Sequence, residues 1–307
     1  MKSWSVSQSL EDRVVKTLEI ANRWGYGLAE DELSDLLYGG PEDTPDVQAA
    51  AAGSPSIVLD AGFAALSGQA DLIAKSLARR RSNGTLVEAY FRIAEDFTRD
   101  LLRHCPFVRA VVVCGSTASG GLEAGDDVDF NLFAEDGTKY IVYLTALLLG
   151  VKYSLLHHRA FANGDSLLRF LRKVTCVNVV WTESDCHPFI RQDELLAFEL
   201  LRSLPIAGTA HYARTLESNR WLRLHFPQIF NRVFADRVQP QEPSSLAALQ
   251  RWIARAPRGR RFLDGMSRRI AAVLHRIVRL SRERNPDAMA RYAFLRHVKF
   301  PYDVFQD

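Results

Sequence analysis

The stretch Val111-Val112-Val113-Cys114-Gly115-Ser116-Thr117-Ala118-Ser119-Gly120-Gly121-Leu122-Glu123-Ala124-Gly125-Asp126-Asp127-Val128-Asp129-Phe130-Asn131-Leu132-Phe133 decides how this chain is read. A β-branched apolar run predicts a buried strand that ends at Gly115-Ser116. After a gap of ten residues Asp127-Val128-Asp129-Phe130 opens a second strand. Asp127 and Asp129 are two positions apart, so in a strand they share a face, about 6–7 Å from each other. Two carboxylates held like that repel unless a cation lies between them, and hard oxygen donors suit Mg²⁺ bound together with phosphates. Glycine lets the backbone approach a phosphate closely, and the Ser116 hydroxyl and exposed N–H groups can donate to anionic oxygens. An isolated Asp-x-Asp reads better as a surface strand with two solvated aspartates. The preceding apolar strand, the Gly-Ser bend and the ten-residue gap turn the reading toward a nucleoside triphosphate site.

These residues resemble the motif of the DNA polymerase β-like nucleotidyltransferase superfamily, an apolar strand, Gly-Ser, a short gap and Asp-h-Asp-h. The segments 106–116, 176–180, 198–201 and 219–222 are similar to those of a group of uncharacterised bacterial nucleotidyltransferase-domain proteins. The resemblance covers about residues 57–230. It implies two Mg²⁺ ions (Mn²⁺ is an alternative) held by Asp127 and Asp129, and a grip on the β- and γ-phosphates by Gly115 and Ser116. It also implies a third carboxylate on a neighbouring strand, ligating the catalytic metal and helping to deprotonate the attacking hydroxyl. Here that strand offers Asn178, which can ligate through oxygen but cannot act as a base near neutral pH. The nearest acids, Glu183 and Asp185, lie beyond the strand end. Either the base comes from elsewhere, or the acceptor needs none, or transfer is weak or lost. Asn131 continues the acidic face toward phosphate or ribose. Lys139 opens the next helix, where basic residues in relatives could contact the triphosphate, although a solvated lysine explains it better. Ser119 and Thr117 are further candidate phosphate donors.

Outward from this segment, residues 108–114, 128–133 and 174–181 read as strands, and 85–103 and 138–150 as helices, an α/β middle region. Before it, helical spacing at 10–22 and 29–37 is followed by a Pro- and Ala-rich stretch at 41–55 that reads as a loop. A hairpin at 56–66 completes a winged-helix-like unit. Residues 79–84 read as a polar break. Beyond 185 the pattern is helical almost throughout, at 193–204, 209–226, 244–256 and 267–282. In the last of these Ile270, Val273, Leu274, Ile277 and Val278 form one stripe. The basic stretch 251–284 carries eleven arginines against two acids. It is a candidate surface for a nucleic-acid backbone, as is the N-terminal unit, although a solvated helical face has the same pattern.

The 307 residues are 47% apolar and 24% charged, which excludes a mostly disordered or fibrous chain. A net charge of +3 is too small to argue for nucleic-acid binding by itself. No secretory leader and no membrane span are expected, since the longest apolar stretch, 140–149, is half the length a bilayer needs. Four cysteines without metal or redox spacing read as reduced core residues of a cytoplasmic protein. Adjacent His157 and His158 would face opposite ways on a strand, which argues against a shared metal.

The expectation is therefore an α+β chain in three parts. Residues 1–80 form the winged-helix-like unit, 81–190 a nucleotidyltransferase core around a short mixed sheet, and 191–307 a helical region. Its expected activity is Mg²⁺-dependent transfer of a nucleoside monophosphate to an acceptor hydroxyl, on a small molecule by preference. The alternative is an inactive nucleotide-sensing module whose N-terminal unit contacts DNA or a partner protein.

Overall fold

The computed structural model describes residues 9–157, 166–168, 171–256 and 258–282. Its architecture is mixed α+β. In chain order the elements are α1 (Leu10–Arg23), β1 (Leu28–Ala29), α2 (Glu30–Leu33), α3 (Thr44–Gly53), β2 (Ile57–Asp60), β3 (Phe63–Leu66) and α4 (Asp71–His104). They continue with β4 (Val108–Cys114), α5 (Gly115–Ser119), β5 (Val128–Ala134), α6 (Lys139–His157), β6 (Ser166–Leu168) and β7 (Leu171–Arg172). Next come β8 (Thr175–Thr182), α7 (Glu183–Cys186), α8 (Glu194–Arg202), β9 (Leu204–Ala207), α9 (Thr209–Ser218), α10 (Ser245–Ala254) and α11 (Gly259–Arg282). Two compact units result. Among the described residues, one holds those up to Arg81 with Arg191–Leu201 and Arg220–Arg232; the other holds those of Ser82–Ile190, Arg202–Asn219 and those from Val233 on. The segments Arg191–Leu201 and Arg220–Arg232, placed by sequence in a helical C-terminal region, thus cluster with the N-terminal residues.

In the first unit Ser9 caps α1 through a reciprocal pair with Asp12, and α1 buries Val14, Leu18 and Ala21. Its sheet is antiparallel in the order β1-β3-β2. The β2–β3 hairpin turns through Ala61 and Gly62, both at positive φ, the geometry of a primed two-residue turn. Two expectations fail here. The helix expected at 29–37 shortens to α2, and the loop expected at 41–55 contains α3. Pro45 sits in the first turn of α3, where its missing N–H costs nothing, and the following alanines are strong helix formers. Composition alone made both look like loop signals. Tyr38 hydrogen-bonds His225 Nδ1 at 3.1 Å, and the Gln228 amide donates to Asp35 O and Leu37 O, tying the later segment in.

The second unit is built on a four-stranded sheet ordered β8-β5-β4-β9. β5 pairs parallel with β8; the other pairings are antiparallel. Alternation sends Val111, Val113, Val128, Phe130 and Leu132 to one face, into a core with α4 and α6. Phe97 of α4 stacks on Phe130, centroids 4.7 Å apart. The opposite face receives Cys114, Asp129, Asn131 and Phe133. The polar break expected at 79–84 is absent, because α4 runs on through Gly84. In the region expected to be helical almost throughout, β9 lies between the helices expected at 193–204 and 209–226, and two 3-10 turns, Arg220–Leu224 and Pro227–Asn231, follow α9. Pro205 is tolerated in β9 because that strand is a sheet edge.

Helix α6 extends past the apolar stretch seen in sequence. Among the described residues it is the one helix long and apolar enough to cross a membrane, and 44% of that window is buried inside the fold. Asp264 of α11 caps it, accepting from Tyr140 N at 2.7 Å and Ile141 N at 3.1 Å. His157 is its last residue, and His158 lies outside the described residues.

Candidate metal and phosphate site

β4 ends at Cys114, and Gly115, at φ +66°, turns the chain directly into the short helix α5. Gly120, at φ +72°, ends α5 in the left-handed conformation. The loop that follows is pinned by Tyr90 of α4. Its hydroxyl donates to Glu123 O and accepts from Gly125 N, both at 3.1 Å. Burial, ahead of weaker influences from Asp126 and Asp127, pushes the Tyr90 phenol up to about 12. The chain then returns antiparallel as β5, which sets Asp129 opposite Cys114. The Asp129 carboxylate lies over the bend so closely that a Cβ on Gly115 would overlap it. The acidic pair and the glycine bend are therefore one locus.

The parallel partner β8 sets Cys176 level with Asp129. One oxygen each of Asp127 and Asp129 and the Cys176 sulfur lie within 4.8 Å of one another. All three residues are half-buried. The Lys173 ammonium forms an ion pair with Asp127. Burial pushes the Cys176 thiol up to about 11; Lys173 opposes this, and Asp127 and Asp129 reinforce it. Asn178 is buried on the same side, where the β5–β8 register shifts by one residue. Its amide donates to Cys114 Sγ at 3.2 Å, and its oxygen accepts from the Cys176 thiol at 3.6 Å. The position expected to carry the third ligand thus holds the two sulfurs, and the residue level with Asp129 is Cys176.

Asn131 is 1% exposed, and neither its amide nitrogen nor its oxygen has a hydrogen-bond partner among the described residues. The Thr117 hydroxyl of α5 is equally buried and unpartnered. Ser116 is half-buried and its carbonyl accepts from Gly121 N. The Ser119 hydroxyl turns back to Ser116 O at 3.4 Å, and its carbonyl accepts from Arg202 at 2.8 Å. Lys139 is not brought to the site. It follows the far end of β5 and pairs with Asp185 at 3.2 Å, beyond the far end of β8. Asp185 in turn accepts from Thr182 N, so it serves the turn into α7. Also at that far end, a cavity of about 340 Å³ is lined by Phe107, Glu135, Arg251, Arg255 and Arg260.

Sequence reasoning missed Cys176 and Lys173. Cys176 read as a small core residue, yet Cys176 and Asn178 alternate on one strand face, a polar rhythm inside a β-branched run. A divalent cation fits the residues present. Three donor atoms converge, an ammonium already neutralises one of them, and Asn131 leaves a buried amide unsatisfied on the same strand face. Comparison with known proteins identifies no matching family model, no matching curated protein and no matching solved structure.

Proposed function

We propose that the chain is a metal-dependent nucleotidyltransferase of the DNA polymerase β-like superfamily, moving a nucleoside monophosphate from a triphosphate to an acceptor hydroxyl. The observation that carries this reading is the seating of the Asp129 carboxylate against the Gly115 bend, with Asp127 beside it. Asp127 and Asp129 hold the ion. The backbone of the Gly115–Ser116 bend and the Ser116 and Thr117 hydroxyls face the phosphates. Asn131 offers its unsatisfied amide to a phosphate or ribose oxygen. A bound divalent cation supplies charge neutralisation at the phosphates and an in-line orientation of the leaving group. Asn178, committed to two sulfurs, does not take the acceptor's proton. The acceptor's hydroxyl therefore reacts with an outside base or with none, and a small-molecule acceptor is favoured because residues 81–190 offer no long basic groove. The N-terminal unit acts as the winged-helix-like appendage, and the protein works in the cytoplasm.

The second reading is a nucleotide-sensing module without turnover, with DNA or a protein partner engaged by the N-terminal unit or the basic residues 267–284. Two observations favour it: Lys173 lies on Asp127, and no acid stands at position 178. Calorimetric titration of a nucleoside triphosphate with divalent cation, run beside transfer of label from its α-phosphate, separates the two. Asp127→Asn with Asp129→Asn is expected to abolish metal-dependent nucleotide binding. Unchanged binding overturns the site. Binding without transfer to any acceptor selects the sensor.

A further inference from the structure

The donor set at this site is unusual for magnesium. Mg²⁺ demands near-octahedral oxygen coordination and dehydrates reluctantly, whereas thiolate donors select borderline and soft ions. Two carboxylates and one sulfur converge here, and no third carboxylate joins them among the described residues. We propose that Cys176 is a direct thiolate ligand of the ion held by Asp127 and Asp129, so that the site takes a borderline divalent cation of the Zn²⁺ class in preference to Mg²⁺. The proposal rests on the transferase reading for what the ion does, not for its binding.

Four features carry it. The parallel register of β5 and β8 places Cys176 level with Asp129, so the sulfur arrives at the oxygens from a rigid strand and not from a loop. Asn178 accepts from the Cys176 thiol and donates to Cys114, which seats the sulfur beside the oxygens in the metal-free site, a bond given up when the thiol proton leaves. Lys173 sets a positive charge on Asp127, at the point where a cation's charge is required. Independently of the cluster, Asn131 sits two residues along the same face from Asp129, 1% exposed, with both amide atoms unsatisfied. A buried amide left so is costly unless something occupies the space beside it, and a metal ion with its bound water supplies both a Lewis acid and a donor. On binding, the ion replaces the thiol proton, which leaves to solvent. The Lys173 ammonium stays protonated and is displaced from Asp127.

Cobalt(II) provides the test, because a cobalt–thiolate bond gives a near-ultraviolet charge-transfer band that carboxylates do not. Titrating the full chain with Co²⁺, in the absence of nucleotide, is expected to produce that band. Cys176→Ser is expected to remove it while keeping the circular dichroism of the parent. Cys105→Ala, a core cysteine away from the site, is expected to retain it. By calorimetry Cys176→Ser should weaken Zn²⁺ by more than the roughly 10–100-fold that loss of a mere outer-shell partner costs, and leave Mg²⁺ little changed. Lys173→Met should tighten Zn²⁺. Absence of the band, its persistence in Cys176→Ser, or equal affinity for Mg²⁺ and Zn²⁺ overturns the proposal. Transfer activity that is supported by Mg²⁺ and indifferent to Cys176→Ser overturns it while sparing the transferase. The thiolate band in a protein that transfers nothing upholds it and sinks the transferase.

Discussion

Gly115 does two jobs at one position. Its φ of +66° lies in the left-handed region, and the space a Cβ would fill is taken by the Asp129 carboxylate. Gly115→Ala should therefore cost stability by about 1–3 kcal/mol, from backbone strain and a displaced carboxylate. Metal binding should fall with it. Chemical denaturation and a metal titration on the same variant check both; a variant with parental ion affinity would show that Asp129 is not held by the bend. This pair was legible in sequence because it is local: a strand, a glycine and an Asp-x-Asp need only the alternation of side chains to meet. Cys176 and Lys173 were not legible. Their place beside Asp127 and Asp129 follows from the parallel register of β5 with β8, which is not encoded locally, and a one-residue shift in that register follows before Asn131. The same shift explains why position 178 looked like the third ligand and turned out to support the sulfurs.

Among elements, α4 shows how punctuation residues mislead. The arginines at 79–81 and the Ser82-Asn83-Gly84 run that follows read as a break, yet the helix runs unbroken from Asp71 to His104. The helix survives Gly84 because packing elsewhere along it, including the Phe97 stack on Phe130, outweighs one residue's propensity. Gly84 is exposed and a Cβ there meets nothing within 4 Å. Gly84→Ala should accordingly stabilise the protein by about 0.5–1 kcal/mol. A shift of the urea midpoint to higher concentration at unchanged slope checks this, and a destabilised variant would mean the helix is not regular at that point. β9 erred in the other direction. Three apolar residues and a proline carry no periodicity that separates a short edge strand from a helix end, so only the sheet reveals it.

At the scale of the whole molecule, two half-buried histidines, one in each unit, contribute to the response to acid. Burial holds His211 and His225 below their ordinary value of 6.5, against partial support for the charged form from Glu183 and Glu194 respectively. The unfolded chain binds protons at these sites before the folded chain does. Stability therefore rises with pH across the interval from their lowered values up to 6.5, and is lost as pH falls through it. Thermal melts should show lower stability near pH 5.5 than near pH 7.5, in a range where ordinary carboxylates remain charged. His211→Gln should flatten part of that slope; an unaltered slope would remove His211 from the account. Asp100 acts at still lower pH. Burial opposes its charge, but hydrogen bonds from Lys152 and Tyr153 prevail and hold it below the usual range. Its contribution is present above the unfolded value and disappears as pH falls through the lowered one.

The amphipathic pattern of α11 was readable, but not its setting. Met266, Ile270, Val273 and Ile277 remain largely exposed in spite of their helical spacing. Periodicity identifies a stripe and says nothing of what covers it.

The strand order β8-β5-β4-β9 also dictates a sequence of events in time. β4 and β5 meet through a short connection, so the aspartates find the glycine bend early, as soon as the hairpin zips. β8 must wait for α6 to cross over, and β9 closes the opposite edge from farther along the chain still. Non-local pairings of this kind form slowly. A nascent chain emerging from the ribosome therefore carries its oxygen donors well before its sulfur donor. The ion site proposed above is therefore complete only once β8 has docked beside β5.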